Sequence, residues 1–451
     1  MKPSENPLGS EPVSTLLRRF AVPSVIAMLV SALYNMVDQL FIGHSIGVLG
    51  NAATNVAFPL SMVCTSIGLL CGIGGAANFN LCMGRREPEH AKSYVGNAIS
   101  MLAILGVILC VAVQLFLRPM MLLFGATPDV IDYACTYTRI TSIGFPFLIV
   151  TIGGSNLIRA DGSPKFSMLC NLVGAIVNTI LDPLFIFVFH MDVQGAALAT
   201  VISQAVSAAF VLRFLTGRQT ILHLKRRLLR LNWKLLAPCV ALGLAPFIMQ
   251  STESLVSVCF NTSLRAAGGT LAVGTMTICS TLMQFALLPL QGLSQGAQPI
   301  ISFNYGAKRP ERVKAAFRIL LISCLAFSAV LGLTCIFAPQ IFVYLLTPAA
   351  ALREYAIPCV RLYMAGVTIF GAQIACQQTF VALGNAKCSL FLACLRKLIL
   401  LIPLVYLLPL FIPDTVFAIF LAEPIADVLA VLCTVTLFMH VFRKTMRGIA
   451  A

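Results

Sequence analysis

Charge is what this chain has least of. Only 16 of its 451 residues are Asp or Glu, and all charged residues together make up 10%, where an ordinary soluble domain carries about 25%. So few charges cannot cover a soluble globule of this length, and that class is excluded. Histidine is scarce, with five residues, and there is no His-Glu-x-x-His and no Gly-x-x-x-x-Gly-Lys-Ser/Thr phosphate loop. The chain is therefore not read as an enzyme, no cofactor is implied, and any work it does must draw on an ion gradient rather than ATP. Tryptophan occurs once, at Trp233. Cysteine is plentiful at 16, but no two stand as Cys-x-x-Cys and most sit inside apolar runs. They read as small core residues, not as a disulfide framework or a metal site.

What the chain has in abundance is apolar sequence, 59% of the total. Twelve runs of about 20 residues, long enough to cross roughly 30 Å of hydrocarbon, begin near residues 20, 51, 95, 136, 167, 195, 236, 272, 316, 354, 389 and 416. Each must be a helix, because lipid leaves no partner for an open strand edge. The first 17 residues are polar and contain Pro3, Pro7 and Pro12, so they read as a short tail and not as a cleavable leader.

The net charge of +15 invites a nucleic-acid partner, and the placement of the basic residues argues against one. They cluster before the first run (Lys2, Arg18, Arg19) and after the even-numbered ones. Arg85, Arg86 and Lys92 follow the second, Arg159 and Lys165 the fourth, Lys308, Arg309, Arg312 and Lys314 the eighth, and Arg443, Lys444 and Arg447 the twelfth. Connections after odd-numbered runs hold only Arg118, Arg265 and Arg353. This is the positive-inside pattern of a multi-pass protein of the plasma membrane with both termini in the cytoplasm. The lipid bilayer is its partner, and nothing demands more than a monomer.

A repeat organises the runs. Gly84-x-x-x-Pro88-Glu89-x-x-Lys92 returns as Gly306-x-x-x-Pro310-Glu311-x-x-Lys314, and Ala160-x-Gly162-x-x-Lys165-x-Ser167 as Ala382-x-Gly384-x-x-Lys387-x-Ser389. Tyr133, Arg139 and Gly144 return as Tyr355, Arg361 and Gly366, all at one offset of 222 residues. The expected fold class is an all-α membrane protein: twelve transmembrane helices in two six-helix lobes. Six spans per half is an even number, so the halves enter the membrane in the same direction and are related by a pseudo-twofold axis along the membrane normal. The lobes are expected over 1–216 and 237–451, joined by a cytoplasmic linker over 217–236 whose segment Ile221 to Leu231 reads as a basic amphipathic helix. Gly84 and Gly306 are expected to end their helices in the left-handed conformation, with Pro88 and Pro310 opening the next.

Acids inside membrane spans are costly and are functional candidates by default. Asp38 shares a face of the first span with Ser31, Tyr34 and Asn35; Asn171, Asn178 and Asp182 form one stripe of the fifth, followed by Pro183. Two close carboxylates share a proton readily, or bind Na⁺ with amide and carbonyl oxygens; the structural alternative is a helix-to-helix tie. Gln250, Glu253, Ser257 and Asn261 make a stripe in the seventh span, and Gln284, Gln291, Gln295 and Gln298 in the eighth. They either line a cavity with Met249, Met283 and Phe285 or bond helix to helix. Glu423 and Asp427 in the last span are expected to form structural ion pairs with Arg361, Arg396 or Lys397.

The segments Tyr34-Asn35-Met36-Val37-Asp38-Gln39-Leu40-Phe41-Ile42-Gly43, Arg159-Ala160-Asp161-Gly162-Ser163-Pro164-Lys165, Asn178-Thr179-Ile180-Leu181-Asp182-Pro183 and Gln298-Pro299-Ile300-Ile301-Ser302-Phe303-Asn304-Tyr305-Gly306 together resemble the multidrug and toxic compound extrusion family, over nearly the whole chain. The resemblance implies two lobes facing a V-shaped cavity and an antiporter that exports organic cations in exchange for H⁺ or Na⁺. It implies an ion-coupling site, for H⁺ or Na⁺, at Asp38, Asn178 and Asp182 with Tyr34 and Asn35 beside it, a second-lobe acid at Glu253, and a helix bend at Pro23. The chain departs from some branches of the family in offering Gln373, Gln377 and Gln378 where they place a tenth-span carboxylate. A flippase of lipid-linked precursors is the alternative; it calls for several cavity-facing arginines, and Arg139, Arg361 and Arg396 are those available.

Overall fold

The computed structural model describes residues 7–45, 47–217, 220–221 and 224–450. The helices follow the apolar runs. In chain order they are α1 (Val13–Ser45), α2 (Val48–Gly84) and α3 (Pro88–Leu115), then α4 (Ile131–Ala160), α5 (Pro164–Val188) and α6 (Asp192–Thr216). A single helical stretch, Trp233–Gly306, runs for 74 residues, more than about three times what one crossing of a bilayer needs. It reverses at Gly269, whose φ of 64° and ψ of −149° lie outside helical space, and so makes two spans, α7 (233–268) and α8 (270–306). Then follow α9 (Pro310–Phe337), α10 (Ala350–Ala382), α11 (Ala386–Leu410) and α12 (Thr415–Ala450). The protein is thus a twelve-span, all-helical, two-lobed membrane protein. Val107, Ile108, Val111 and Leu115 on α3, and Ile322 and Val330 on α9, are exposed, which is the lipid-facing belt that such a protein requires.

The repeat holds at the level of the backbone. α3 and α9 have the same length and the same offset of 222. A 3-10 turn, Ser142–Gly144 in α4, recurs as Met364–Gly366 in α10. Three pairs of positive φ angles match at the same offset: Gly47 with Gly269, Arg86 with Lys308, and Gly162 with Gly384. The left-handed residue of the repeated loop is therefore Arg86 or Lys308, two positions beyond the expected Gly84 or Gly306. Those glycines serve the crossing of α2 and α8. A Cβ at Gly84 would overlap the backbone of Phe303 and Gly306, and one at Gly306 the backbone of Leu81.

Close approaches of this kind join the lobes throughout the end that carries the basic loops. Gly74 lies against the Cys239 carbonyl and Gly243 against that of Leu70, while Gly292 and Gly296 lie against Val25 and Ala21. Gln298 Nε2 donates to the Ile73 carbonyl at 3.2 Å, and Arg159 Nη1 to Gln295 Oε1 at 2.8 Å. Gln250 reaches Met62 Sδ at 3.2 Å and Ser251 Oγ reaches Ser66 Oγ at 3.1 Å. Among the described residues no hydrogen bond joins the lobes beyond that level, and Leu33, Met36, Phe58, Leu255, Val258 and Phe285 are exposed there. The lobes are closed at the basic end and parted at the other. Gly74→Val is expected to pry open the closed end, because the new methyls meet backbone that cannot yield. Spin labels on Glu89 and Glu311 should then read a longer separation, whereas Gly448→Ala, where a Cβ meets nothing within 4 Å, should leave it unchanged.

Helix α1 straddles the two lobes. Leu16, Leu17 and Phe20 pack in a core cluster with Leu290, Ile300 and Phe370 of the second lobe, while Ile42 packs with Ile186 and Ala196 of the first. Pro23 lies between, within a helix that continues through it. The segment before α1 is tied to the second lobe: the carbonyls of Leu8, Gly9 and Glu11 accept bonds from Asn304, Arg309 and Arg312. At the same loop positions the first half has Glu87 and His90, so the duplicated loop has diverged where only one copy holds the tail.

The linker is not the expected amphipathic helix. Leu222 and His223 lie outside the described residues; of the rest, Arg226–Leu229 form one 3-10 turn flanked by extended backbone at Lys225 and Arg230. It is held to α3 by Ser100 Oγ donating to the Leu229 carbonyl at 2.8 Å and by Asn97 Oδ1 accepting from the Asn232 amide at 2.7 Å. A straight helix from 221 would carry Leu228 away from Gly96, against which its backbone packs.

Candidate functional site

The costly carboxylates of the first half meet. Asp38 comes from α1 and Asp182 from α5; they are 7% and 0% exposed, and Asn178 is 1% exposed. The two carboxyls lie within hydrogen-bonding reach of each other, an arrangement that needs a shared proton or a cation between them. Asn178 Nδ2 donates to Asp182 Oδ1 at 3.3 Å, one helical turn back on α5. Asp38 Oδ1, Asn178 Oδ1 and Asp182 Oδ2 find no donor among the described residues. Three buried oxygens without donors, with two formal negative charges among their groups, suit a proton or a hard monovalent cation such as Na⁺. Among the described residues no group of three or more His, Cys, Asp or Glu could hold a metal ion.

Two further residues complete this pocket. Tyr137 of α4 and Thr200 of α6 lie beside Tyr34 of α1 and the two acids, and the Thr200 hydroxyl donates to the Ala196 carbonyl at 3.0 Å. Tyr137 and Thr200 carry no mark in the sequence, being single polar residues in apolar helices; only the packing of α4 and α6 on α1 reveals them. Beyond Asp182, Pro183 has no amide hydrogen to donate, and the helix relaxes into a π-turn over Leu184–Val188, a distortion that often marks functional sites. Asn35 is exposed. Asn171 is half-buried and spends its amide on Ser155 Oγ of α4 at 3.4 Å and on the Ser167 carbonyl at 3.1 Å, which makes it a tie between helices and not a cavity group.

The second lobe holds a different constellation. Arg396 of α11 donates through Nε to Asp427 Oδ1 and through Nη2 to Glu423 Oε1, both at 2.7 Å, and lies 4.4 Å over the Phe370 ring. The next residue, Lys397, bonds Glu253 and donates to the Met249 carbonyl at 2.7 Å. Both cations are buried, and both lie in a π-turn over Leu395–Leu401. The ion pairs expected among these residues are thus present without Arg361, which is exposed. The offset of 222 places Gly174, Ala175 and Val201 opposite Arg396, Lys397 and Glu423, and Phe260 and Leu404 opposite Asp38 and Asp182. The scaffold was duplicated; neither polar cluster has a copy.

Several expected cavity residues serve other ends. Met283 is 4% exposed within the second-lobe core, because its face of α8 turns inward. Gln250, Gln295 and Gln298 bond across the lobe junction. Met249 is half-buried, its sulfur 3.0 Å from Gln377 Nε2. Gln284 and Phe285 are exposed, and Glu253 is half-exposed. A Gly-x-Ser-x-Gly match at Gly292 to Gly296 lies in mid-helix, its glycines against α1 and Ser294 buried, so it forms no nucleophile elbow.

Two like-built lobes, closed at one end and each holding a buried polar cluster, define a membrane transporter. The profile of the MatE family matches residues 23–184 and 245–407, and the chain belongs to that family. Multidrug export protein MepA of Staphylococcus aureus (strain N315) is 25% identical over 397 residues, spanning 88% of this chain and 87% of the relative. The protein of the same name from Staphylococcus saprophyticus is 24% identical over 421 residues, 92% of each. A solved structure described as the outward-facing conformation of a multidrug resistance MATE family transporter of the MOP superfamily superposes with a TM-score of 0.91 at 20% identity, covering 99% of this chain and 98% of the other. A MOP superfamily transporter from Pyrococcus furiosus, described as having a binding pocket of reverse polarity, gives 0.90 at 22% identity, covering 99% and 98%.

Proposed function

We propose that this transporter exports cationic, amphipathic compounds from the cytoplasm in exchange for H⁺ or Na⁺, as a monomer in the plasma membrane. The carrying observation is the juxtaposition of Asp38 and Asp182 with three unpartnered oxygens, sealed in a lobe whose partner contacts lie on one side only. The positive-inside pattern assigns the closed, basic end to the cytoplasm, so the parted end faces outward. In this state an ion enters from outside and neutralises the pair. Neutralisation removes negative potential from the first lobe, weakens its hold on a cationic substrate, and frees α1, which spans both lobes through Pro23, to move. The substrate leaves outward, the lobes rock, and the ion leaves inward. The names of the staphylococcal relatives support multidrug export. The flippase reading loses ground because Arg396, the buried one of its three arginines, is held by two carboxylates.

The test is uptake of tetraphenylphosphonium into proteoliposomes under a proton gradient alone and a sodium gradient alone. Exchange of one monovalent cation for another moves no net charge, so the ion's own concentration gradient is the drive, and an ion gradient of about fortyfold sustains a substrate ratio of the same size. Accumulation is expected with one ion and not the other. No accumulation under either gradient would reject the exchange.

A further inference from the structure

Glu253 is the one acid of α7, and its surroundings are lopsided. Its side chain is 37% exposed, while the Lys397 side chain that grips it is only 6% exposed. The Glu253 side chain is thus partly open, and the ammonium that bonds it is enclosed by protein. Lys397 is held by the Met249 carbonyl as well, so two oxygens of α7 form its seat. Its neighbour Arg396 is fully committed to α12. The oxygens Glu423 Oε2 and Asp427 Oδ2 are buried with no donor among the described residues, so the cluster of Glu253, Glu423, Asp427, Arg396 and Lys397 carries three acids against two bases. Two consecutive cations on one helix reach different partners because the π-turn over Leu395–Leu401 alters the angle between successive side chains.

We infer that Lys397 is a tethered cation that competes with the transported cation for Glu253, and so sets the affinity of the second lobe for monovalent organic cations. This inference rests on the cation-export reading. A cationic group that approaches Glu253 from the open side meets a carboxylate already neutralised from within. It binds well only while Lys397 is disengaged, so its apparent affinity is lowered by the fraction of time Glu253 is free. The arrangement lets the acid stay charged in an apolar setting at rest without becoming a trap that holds its substrate too long. It also favours bulky, weakly hydrated cations, whose apolar contacts add to the charge, over small ions that have only charge to offer.

The experiment measures tetraphenylphosphonium binding to the purified full-length protein, with Na⁺-dependent thermal stabilisation as a second readout. Lys397→Met keeps the apolar stem and removes the competitor; binding should tighten about tenfold, the factor expected if Glu253 is free roughly a tenth of the time. Lys397→Arg should stay near the parent value, and Glu253→Gln combined with Lys397→Met should lose the gain. Unchanged or weaker binding by Lys397→Met, or a gain that survives in the double variant, overturns the inference, as does a tenfold change in Lys397→Arg. If the parent fails to bind tetraphenylphosphonium, the organic-cation reading falls, and the sodium readout alone decides: stabilisation by Na⁺ that appears in Lys397→Met and disappears in the double variant upholds Lys397 as the internal competitor, and its absence rejects it.

Discussion

Asp182→Asn is expected to abolish ion-driven export while leaving the protein folded. The amide has the shape of the carboxyl it replaces, and it keeps an oxygen for the Asn178 donor that now reaches Asp182 Oδ1 at 3.3 Å. It also ends the confrontation of two acids, since a neutral group beside Asp38 demands no shared proton. What it cannot do is take up and release the coupling ion. The accumulation ratio in proteoliposomes should drop from the tens allowed by an ion gradient of about fortyfold to one, and thermal stability should hold or rise. Binding of tetraphenylphosphonium to the outward state should weaken without vanishing, because the first lobe loses negative potential while Glu253 and the exposed residues of α8 lie in the other lobe. A variant that still concentrates substrate against its gradient would remove the Asp38–Asp182 pair from the coupling scheme. A variant that aggregates would be answered by Asp38→Asn, which alters the same pair from the α1 side and should give the same loss.

How far such a site can be read from sequence depends on what each residue costs. Asp38, Asn178 and Asp182 were legible because charge in an apolar run is expensive, and because a spacing of four places Asn178 beside Asp182 on one stripe. Tyr137 and Thr200 cost little in a membrane helix, so nothing marked them; they matter only because α4 and α6 bring them to Tyr34. Met283 shows the opposite failure. A methionine in an apolar span suits a cavity or a core equally, and helical periodicity could not say which face of α8 points inward. The repeat was legible in Gly84 and Gly306, but their role was not. A glycine before a turn suggests a left-handed cap, whereas here Arg86 and Lys308 take that conformation and the glycines admit a crossing helix from the other lobe. Contacts between lobes leave no periodic trace in either partner. The same holds for the ion cluster of the second lobe: its five members were visible as charges, and the pairing of adjacent Arg396 and Lys397 with different helices was not.

That cluster yields the largest expected effect on stability. Arg396→Met should destabilise the protein by about 3–5 kcal/mol, the usual consequence of removing one partner from a buried ion pair. The reason is less the lost attraction than what stays behind: Glu423 and Asp427, 2% and 0% exposed, one turn apart on α12, without the guanidinium that bonds both. Water cannot easily reach them, since Gly366 packs directly on Asp427 and Phe370 covers the guanidinium from the other side. The damage is therefore reversible by chemistry and not only by restoring the arginine. Adding Glu423→Gln and Asp427→Asn to Arg396→Met removes the stranded charges and should recover most of the lost thermal stability, although the triple variant has fewer ionic contacts than the parent. Arg361→Met, on the exposed face of α10, should shift stability by less than about 0.5 kcal/mol. Were the triple variant as unstable as Arg396→Met alone, the cluster would owe its importance to the fit of the guanidinium between α10, α11 and α12, and not to the balance of charge.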